Sequence, residues 1–347
     1  MLSTTGAQQD HSTIMQQLPV TANVTFDPGE TEKGHWIVAT ILFALNIAAA
    51  CGNIAVMAYI VHTKIYRNFV SSHFIAHLML TDFLVCAIFV NIFIWNVYDG
   101  QNLYGNSDLL CRVHAFLLCT IWAVVYYMMA GIAGIHLITF ARIHYEQLFG
   151  LPPSLICGLA WLAGAALGLP CLTNSSIIHY DPDFYHCLWR SNVVGYKFLA
   201  YFILLGIILP VCLTFYAYIR ILAIFYHSPV VFEALGLFRS RYLVFSLLLA
   251  ILLQVPMFVT LFVGWSYNTA DDESGGTDSQ SIPVAQALGV SPIAIIVISM
   301  LSYGKSLLGS ILYGSSLILI KEDDIALTHR ANRQQYHPQT GTFGGYV

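Results

Sequence analysis

The feature that most constrains this sequence is one long apolar stretch between Arg112 and Arg142. No acidic or basic side chain other than histidine interrupts it. As a helix rising about 1.5 Å per residue, the stretch would reach about 45 Å with its flanks, which exceeds the roughly 30 Å hydrocarbon core of a bilayer. It therefore predicts a tilted membrane-crossing helix.

Composition extends this prediction to the whole chain. Of 347 residues, 57% are hydrophobic and only 9% are charged, whereas soluble domains carry about 25% charged residues. Hydropathy predicts seven spans at 36–62, 72–97, 109–141, 153–172, 194–226, 237–265 and 287–320. The expected fold class is an all-α membrane protein, a seven-transmembrane helix bundle. The net charge of −4 and the absence of a basic run argue against a nucleic-acid partner.

Basic residues predict the orientation, because cytoplasmic loops are enriched in lysine and arginine. One side of the membrane would carry Lys64, Arg67, Arg142, Arg220, Arg239, Arg241, Lys321, Arg330 and Arg333. The other side has fewer basic residues and many acids. We therefore expect an extracellular N-terminal segment at 1–34, a membrane domain at 35–320, and a short cytoplasmic tail at 321–347 that does not fold. Two glycosylation sequons, at Asn23 and Asn174, would both lie outside.

Single markers in successive spans carry a resemblance. They are Gly52-Asn53, Asp82, Trp161, Pro210, Pro256 and Tyr313, together with Cys111 and Cys187. In order and spacing this set resembles the rhodopsin-like (class A) G-protein-coupled receptors over nearly the whole chain. The resemblance implies a multi-pass plasma-membrane receptor that passes the signal of a small-molecule or peptide ligand to a heterotrimeric G protein. It also implies a Cys111–Cys187 disulfide.

Two loops carry a closer resemblance. The segment from His179 to Cys187 reads HYDPDFYHC, similar to the Tyr-Asp-Pro-x-x-Tyr-x-Cys loop of melatonin receptors. The segment from Ile143 to Phe149 reads IHYEQLF, similar to their Leu-Lys-Tyr-Asp-Lys-Leu-Tyr. Tyr303, ten positions before Tyr313, also falls where those receptors have a tyrosine. The chain resembles a divergent relative of this group.

The chain departs from the family at the positions that engage the G protein. The arginine of the Asn-Arg-Tyr motif falls on His136, and Arg142, nearly two turns later, is a doubtful substitute. The Asn-Pro-x-x-Tyr motif reads Gly309-Ser310-Ile311-Leu312-Tyr313, which keeps only the tyrosine. The coupling positions implied by the resemblance are therefore His136, Arg142 and Tyr313.

The positions that contact melatonin in the family differ as well. Cys171 replaces the hydrogen-bonding asparagine, Ser191 falls roughly at the hydrogen-bonding glutamine of the loop, and Gly206 replaces the histidine of span five. Because these polar anchors are lost, melatonin itself is not expected as the ligand. The resemblance implies a pocket lined by Leu118, Trp189, Gly206, Gln254, Phe258 and Tyr303.

Two ionisable residues fall inside predicted spans, where charge is costly and indicates a functional site. They are Asp82 in span two and Lys305 in span seven. In the class A arrangement Lys305 faces Asp82 across the bundle, so we expect an ion pair in which the ammonium replaces a sodium ion. The alternative is that Lys305 snorkels or faces a water chain. A retinal Schiff base is disfavoured, because retinal lysines occupy the position of Tyr303, and two residues turn a helix by about 200°.

No catalytic, cofactor or metal-binding pattern is expected, since the histidines lack paired ligand spacing. The leading hypothesis is a receptor that binds an unknown ligand and lies among membrane lipids. A second is a non-coupling seven-helix decoy or heteromer partner that modulates related receptors, which the replacement of arginine by His136 favours. A third, an ion or proton transporter using Asp82 and Lys305, is disfavoured by the absence of internal repeats.

Overall fold

The structure, a computed structural model, describes nine segments of the chain. They are residues 35–67, 70–100, 102–105, 107–141, 151–182, 184–190, 192–227, 238–273 and 291–335. All of them belong to the compact unit Gly34–Val347.

Among the described residues, seven helices are long and apolar enough to cross a membrane. They are α1 (Trp36–Thr63), α2 (Ser71–Asp99), α3 (Asp108–Phe140), α4 (Pro153–Thr173), α5 (Val193–Phe202, continuing through Leu209–His227), α6 (Phe238–Glu273) and α7 (Pro292–Gln335). Short π-helical segments, Val85–Val90 and Ile203–Ile208, interrupt α2 and α5. The prediction of a seven-helix membrane protein is confirmed at this level.

Local sequence explains several helix ends. Pro153 begins α4, where its missing N–H leaves no hydrogen bond unmade. Asn192 caps α5 by accepting a hydrogen bond from the backbone N–H of Gly195 at 2.7 Å. Gly100 ends α2 in the left-handed conformation, with φ of 70°, which glycine adopts without strain.

The long apolar stretch that follows Arg112 forms most of α3, which lies at the centre of the bundle. Of an apolar stretch of 18 residues in each helix, 72% is buried in α3, against 28% in α1 and 22% in α4. Glycines in α4 allow that helix to approach α3 closely, since a Cβ at Gly164 would stand 2.8 Å from the backbone oxygen of Thr120. Outward-facing side chains such as Leu162 and Ile219 are apolar and exposed, as a lipid-facing surface requires.

Two helix ends differ from the predicted spans. We expected a tail that does not fold from residue 321, but α7 continues through Gln335. Likewise α6 continues to Glu273, beyond the predicted end at 265. Several residues of the α7 extension, such as Lys321, Glu322 and Arg330, have good helix propensity. At both ends, the end of the apolar pattern was a poor guide to the end of the helix.

A β-hairpin after α4 closes one end of the bundle. Strands β1 (Ile178–Asp181) and β2 (His186–Trp189) pair antiparallel, with Tyr180 opposite Cys187. All four residues of β2 are buried. We call residues 178–189 the lid.

Candidate functional site

A buried ion pair joins α2 to α7 inside the bundle. Nζ of Lys305 lies 2.7 Å from Oδ1 of Asp82. Ser306 donates a hydrogen bond from Oγ to the same oxygen at 3.0 Å. Asp82 is fully buried and Lys305 is only 4% exposed. The structure therefore brings together the two charged residues that the sequence singled out, and Lys305 does not reach towards lipid.

The second carboxylate oxygen of Asp82 faces the backbone of α7. Oδ2 has no hydrogen-bond partner among the described residues. It lies so close to Gly309 that a Cβ at this position would collide with it. The position of this carboxylate therefore leaves no room for a side chain at position 309.

Neighbouring polar groups fix the backbone around the pair. Asn53 on α1 donates from Nδ2 to the backbone oxygen of Ser306 at 3.2 Å. The ring centre of Tyr313 lies 5.7 Å from Nζ of Lys305, and the Tyr313 hydroxyl is bonded to Oγ of Ser246 on α6. Hydrogen bonds and one cation–π contact therefore form a path from α1 and α2 through α7 to α6.

The three predicted coupling positions have different outcomes. Tyr313 is buried at 3% exposure and belongs to the path just described. His136 lies half-buried on α3, in the turn before its end at Phe140. Arg142 lies outside the described residues.

Two of the predicted pocket residues, Trp189 and Phe258, belong to an aromatic cluster. The ring of Trp189 on the lid lies 6.1–6.2 Å from the rings of Trp122, Phe202 and Phe258. Trp122 is also 5.9 Å from Phe258, edge to face. Gly206 provides room for this cluster, because a Cβ there would lie 3.3 Å from the Phe202 ring. We call Trp122, Trp189, Phe202 and Phe258 the aromatic cluster.

Other predicted pocket residues border the aromatic cluster or lie apart from it. Gln254 on α6 accepts a 2.6 Å hydrogen bond from the hydroxyl of Tyr126 on α3. Leu118, which is also on α3, is buried in the core. Tyr303 belongs to a different group, with its ring 6.0 Å from those of Phe93 and His186.

Three further residues at this site were not predicted from the sequence, although helical spacing points to two of them. They are Trp122, Tyr126 and Phe202. Trp122 follows Leu118 by four residues, and Phe202 precedes Gly206 by four. Residues four apart lie on the same face of a helix, so each belongs to the face already predicted to line the pocket.

A second buried group of polar rings lies beneath the lid. The Tyr104 hydroxyl and Nδ1 of His114 are bonded at 2.8 Å. The His114 ring lies 4.8 Å from Phe89, and that of His186 lies 5.8 Å from Phe93. Among the described residues, Nε2 of His114 and the hydroxyl of Tyr303 have no hydrogen-bond partner.

Covalent and hydrogen bonds hold the lid in place. A disulfide joins Cys187 on β2 to Cys111 on α3, the pairing implied by the resemblance. Asn96 on α2 donates from Nδ2 to the backbone oxygen of Tyr185 at 2.8 Å, and Ser299 on α7 donates to that of Phe184 at 3.4 Å. The lid is thus attached to three helices.

Burial keeps the histidines of the lid neutral. Desolvation lowers the pKa of His186 to about 4, opposed in part by the neighbouring backbone of Phe184. Desolvation, together with the nearby Arg190 guanidinium, lowers the pKa of His179 to about 4. Both imidazoles therefore stay uncharged at neutral pH while the lid is closed.

Of the two predicted glycosylation sites, the structure describes one. Asn174 is exposed at the end of α4, next to the lid. Asn23 lies outside the described residues.

Fold and site together define a multi-pass helical membrane protein with a disulfide-anchored lid and a buried ion pair. No protein-family model matches the chain, and no curated protein matches it. The assignment of function consequently depends on the chemistry of the site.

Proposed function

We propose that this chain is a receptor of the rhodopsin-like G-protein-coupled type, melatonin-receptor-like, in the plasma membrane with its N-terminus outside. The observation that carries the proposal is the lid, which is anchored by Cys111–Cys187 and places Trp189 among the helices. An extracellular ligand that enters here meets side chains from α3, α5 and α6 at once. Such a site can couple ligand binding to helix movement, because binding shifts the population towards the arrangement that fits the ligand.

The chemistry of the aromatic cluster indicates the kind of ligand. The aromatic cluster carries no charge. The charge of Lys305 is neutralised by Asp82. The cluster therefore suits an uncharged aromatic or aliphatic ligand group that takes the place of the Trp189 ring.

Three bonds between helices would have to change during signalling. They are Tyr126 to Gln254 between α3 and α6, Ser246 to Tyr313 between α6 and α7, and Asp82 to Lys305 between α2 and α7. In the proposed mechanism, displacement of Trp189 weakens the first bond and frees α6. An inner cavity for the G protein then opens between α3 and α6.

Basal G-protein activation tests the proposal. Wild type, Lys305→Ala and His136→Arg are compared at matched surface levels, with Lys197→Ala as a control that removes an exposed lysine of α5. Signalling that appears only in Lys305→Ala or His136→Arg supports a receptor held inactive by its own substitutions. Signalling by wild type that Lys305→Ala abolishes supports an active state that needs the ion pair.

A second candidate is a non-coupling seven-helix partner of related receptors. It is favoured by His136 in place of the coupling arginine. Silence from all variants, together with altered signalling of a co-expressed related receptor, would support this candidate over the first.

A further inference from the structure

Two buried thiols face each other between α3 and α4. Sγ of Cys119 lies 3.8 Å from Sγ of Cys171. The two residues are 2% and 0% exposed. Among the described free cysteines, this is the one pair whose sulfur atoms are in contact; Cys51 and Cys212 are exposed, and Cys86 lies near the backbone of Ser306.

The backbones of α3 and α4 are unusually close at this level. A Cβ at Gly168, one turn before Cys171, would stand 2.8 Å from the backbone oxygen of Phe116, one turn before Cys119. Gly164 makes the same kind of approach to Thr120. Because the helices already touch through their backbones, short cysteine side chains suffice to span the remaining gap.

We propose that Cys119 and Cys171 form a second, internal disulfide. Closing it requires the sulfur atoms to move from 3.8 Å to the S–S bond length of about 2.05 Å. In this proposal, rotation of the two side chains about their Cα–Cβ bonds closes the gap between the sulfur atoms.

The chemistry is thiol–disulfide exchange with a disulfide-bearing donor, such as oxidised glutathione or an oxidoreductase of the secretory pathway. Before α3 and α4 pack and bury the pair, one cysteine thiolate attacks the donor disulfide and releases one donor thiol. The second cysteine then attacks the mixed disulfide and releases the other. Two S–H bonds are lost, one S–S bond forms, and two electrons reduce the donor to two thiols.

The position of the pair near Cys111 supports oxidation in the secretory pathway. Cys119 follows Cys111 by eight residues, or about 12 Å along the helix, and Cys111 is itself oxidised in a bond to Cys187. Disulfides persist on the oxidising side of a membrane. The second bond would fix α3 against α4 beside Leu118, and it does not depend on the proposed receptor function.

Peptide mapping of the full chain tests the proposal. Protein from eukaryotic cell membranes is denatured without reductant in N-ethylmaleimide, digested and analysed by mass spectrometry. One aliquot is used as isolated and one after treatment with oxidised glutathione in detergent. We expect a peptide pair joined through Cys119 and Cys171, lost on reduction, while Cys157, buried in the same helix as Cys171, is alkylated as a bystander.

Two readouts keep the result interpretable. An intact Cys111–Cys187 peptide pair shows that the sample is folded. In Cys119→Ala the linked pair should disappear and Cys171 should become alkylated. If Cys119 and Cys171 are both alkylated in both aliquots of wild type while Cys111–Cys187 remains linked, the proposal is wrong.

Discussion

A lysine ammonium inside a membrane bundle is retained only where its charge is compensated, and Asp82 compensates Lys305 at 2.7 Å. Desolvation makes such a pair expensive to bury, but removing one partner is worse because it leaves an isolated charge. The pair therefore ties α2 to α7 in one arrangement. Its ammonium supplies the positive charge that compensates the carboxylate.

We predict that Lys305→Ala destabilises the protein by about 3–5 kcal/mol in sodium-free buffer, because Asp82 loses its partner. Sodium chloride should restore part of the thermal stability of this variant, since the vacated space beside Asp82 and Ser306 offers oxygen ligands. Wild type should show no difference between sodium chloride and choline chloride at equal ionic strength. Thermal unfolding of the purified protein measures all of these effects.

The double variant Asp82→Asn/Lys305→Ala is the control for this experiment. It removes both charges, so it should recover most of the stability and show no sodium dependence. A sodium effect of equal size in wild type and in Lys305→Ala would contradict the replacement of a cation by the ammonium.

Gly309 is the second residue with a specific steric role. We predict that Gly309→Ala lowers the melting temperature and surface expression, because its Cβ would displace Oδ2 of Asp82 from a buried position. Gly158→Ala is the matched control, since a Cβ there meets nothing within 4 Å, and it should be neutral or stabilising by up to about 1 kcal/mol. Equal stability of the two variants would refute the close approach of the carboxylate.

At the scale of elements, the lid is the part whose position depends on protonation. Its closed form requires His186 to stay neutral, since the ring is fully buried among Phe93, Phe184 and Tyr303. The titratable groups nearest to it are Asp181 opposite on β1, His114 on α3 and Tyr303 on α7. An exposed histidine has a pKa of about 6.5, so opening the lid allows protonation.

We predict that the lid opens as pH falls from about 6.5 towards 4. The pKa of His186 is lowered to about 4 in the closed lid. The neutral ring therefore stabilises the closed form fully above pH 6.5, and this stabilisation is lost as the pH falls from 6.5 towards 4. Hydrogen exchange of the amides of residues 186–189, corrected for intrinsic rates, should therefore accelerate at pH 5.

His186→Phe is the matched variant, because phenylalanine fills a similar space without titrating. Its lid should exchange slowly at both pH values, apart from a residual acid effect through His179. Acid-accelerated exchange of the same size in His186→Phe and wild type would show that another group controls the lid.

The sequence was informative where one residue's chemistry demands a partner, and much less so where packing decides. The cost of charge inside the membrane singled out Asp82 and Lys305, and the resemblance to class A receptors implied that the two face each other. For the aromatic cluster, the resemblance implied Trp189 and Phe258, whereas Trp122 and Phe202 were missed because they are apolar residues in apolar helices. Their meeting with Trp189 depends on the hairpin of the lid, which the hydropathy pattern does not encode.

At the scale of the whole molecule, two independent features should agree on the orientation in the membrane. The distribution of basic residues predicts that 321–347 lies in the cytoplasm, and a Cys111–Cys187 disulfide is expected to persist only if the lid faces an oxidising compartment. Asn174 is exposed beside the lid, where a glycosyltransferase can reach it. The lid and Asn174 should therefore both be extracellular.

We predict that the protein from eukaryotic cells carries N-linked glycans at Asn174 and Asn23. Glycosidase treatment should increase gel mobility, each single Asn→Gln variant should lose part of the shift, and the double variant should lose all of it. A tag placed after Val347 should bind antibody only after permeabilisation. Antibody binding to that tag on intact cells, with no glycosidase shift in wild type, would reverse the orientation. The lid would then face the cytoplasm, and an extracellular ligand could not reach Trp189.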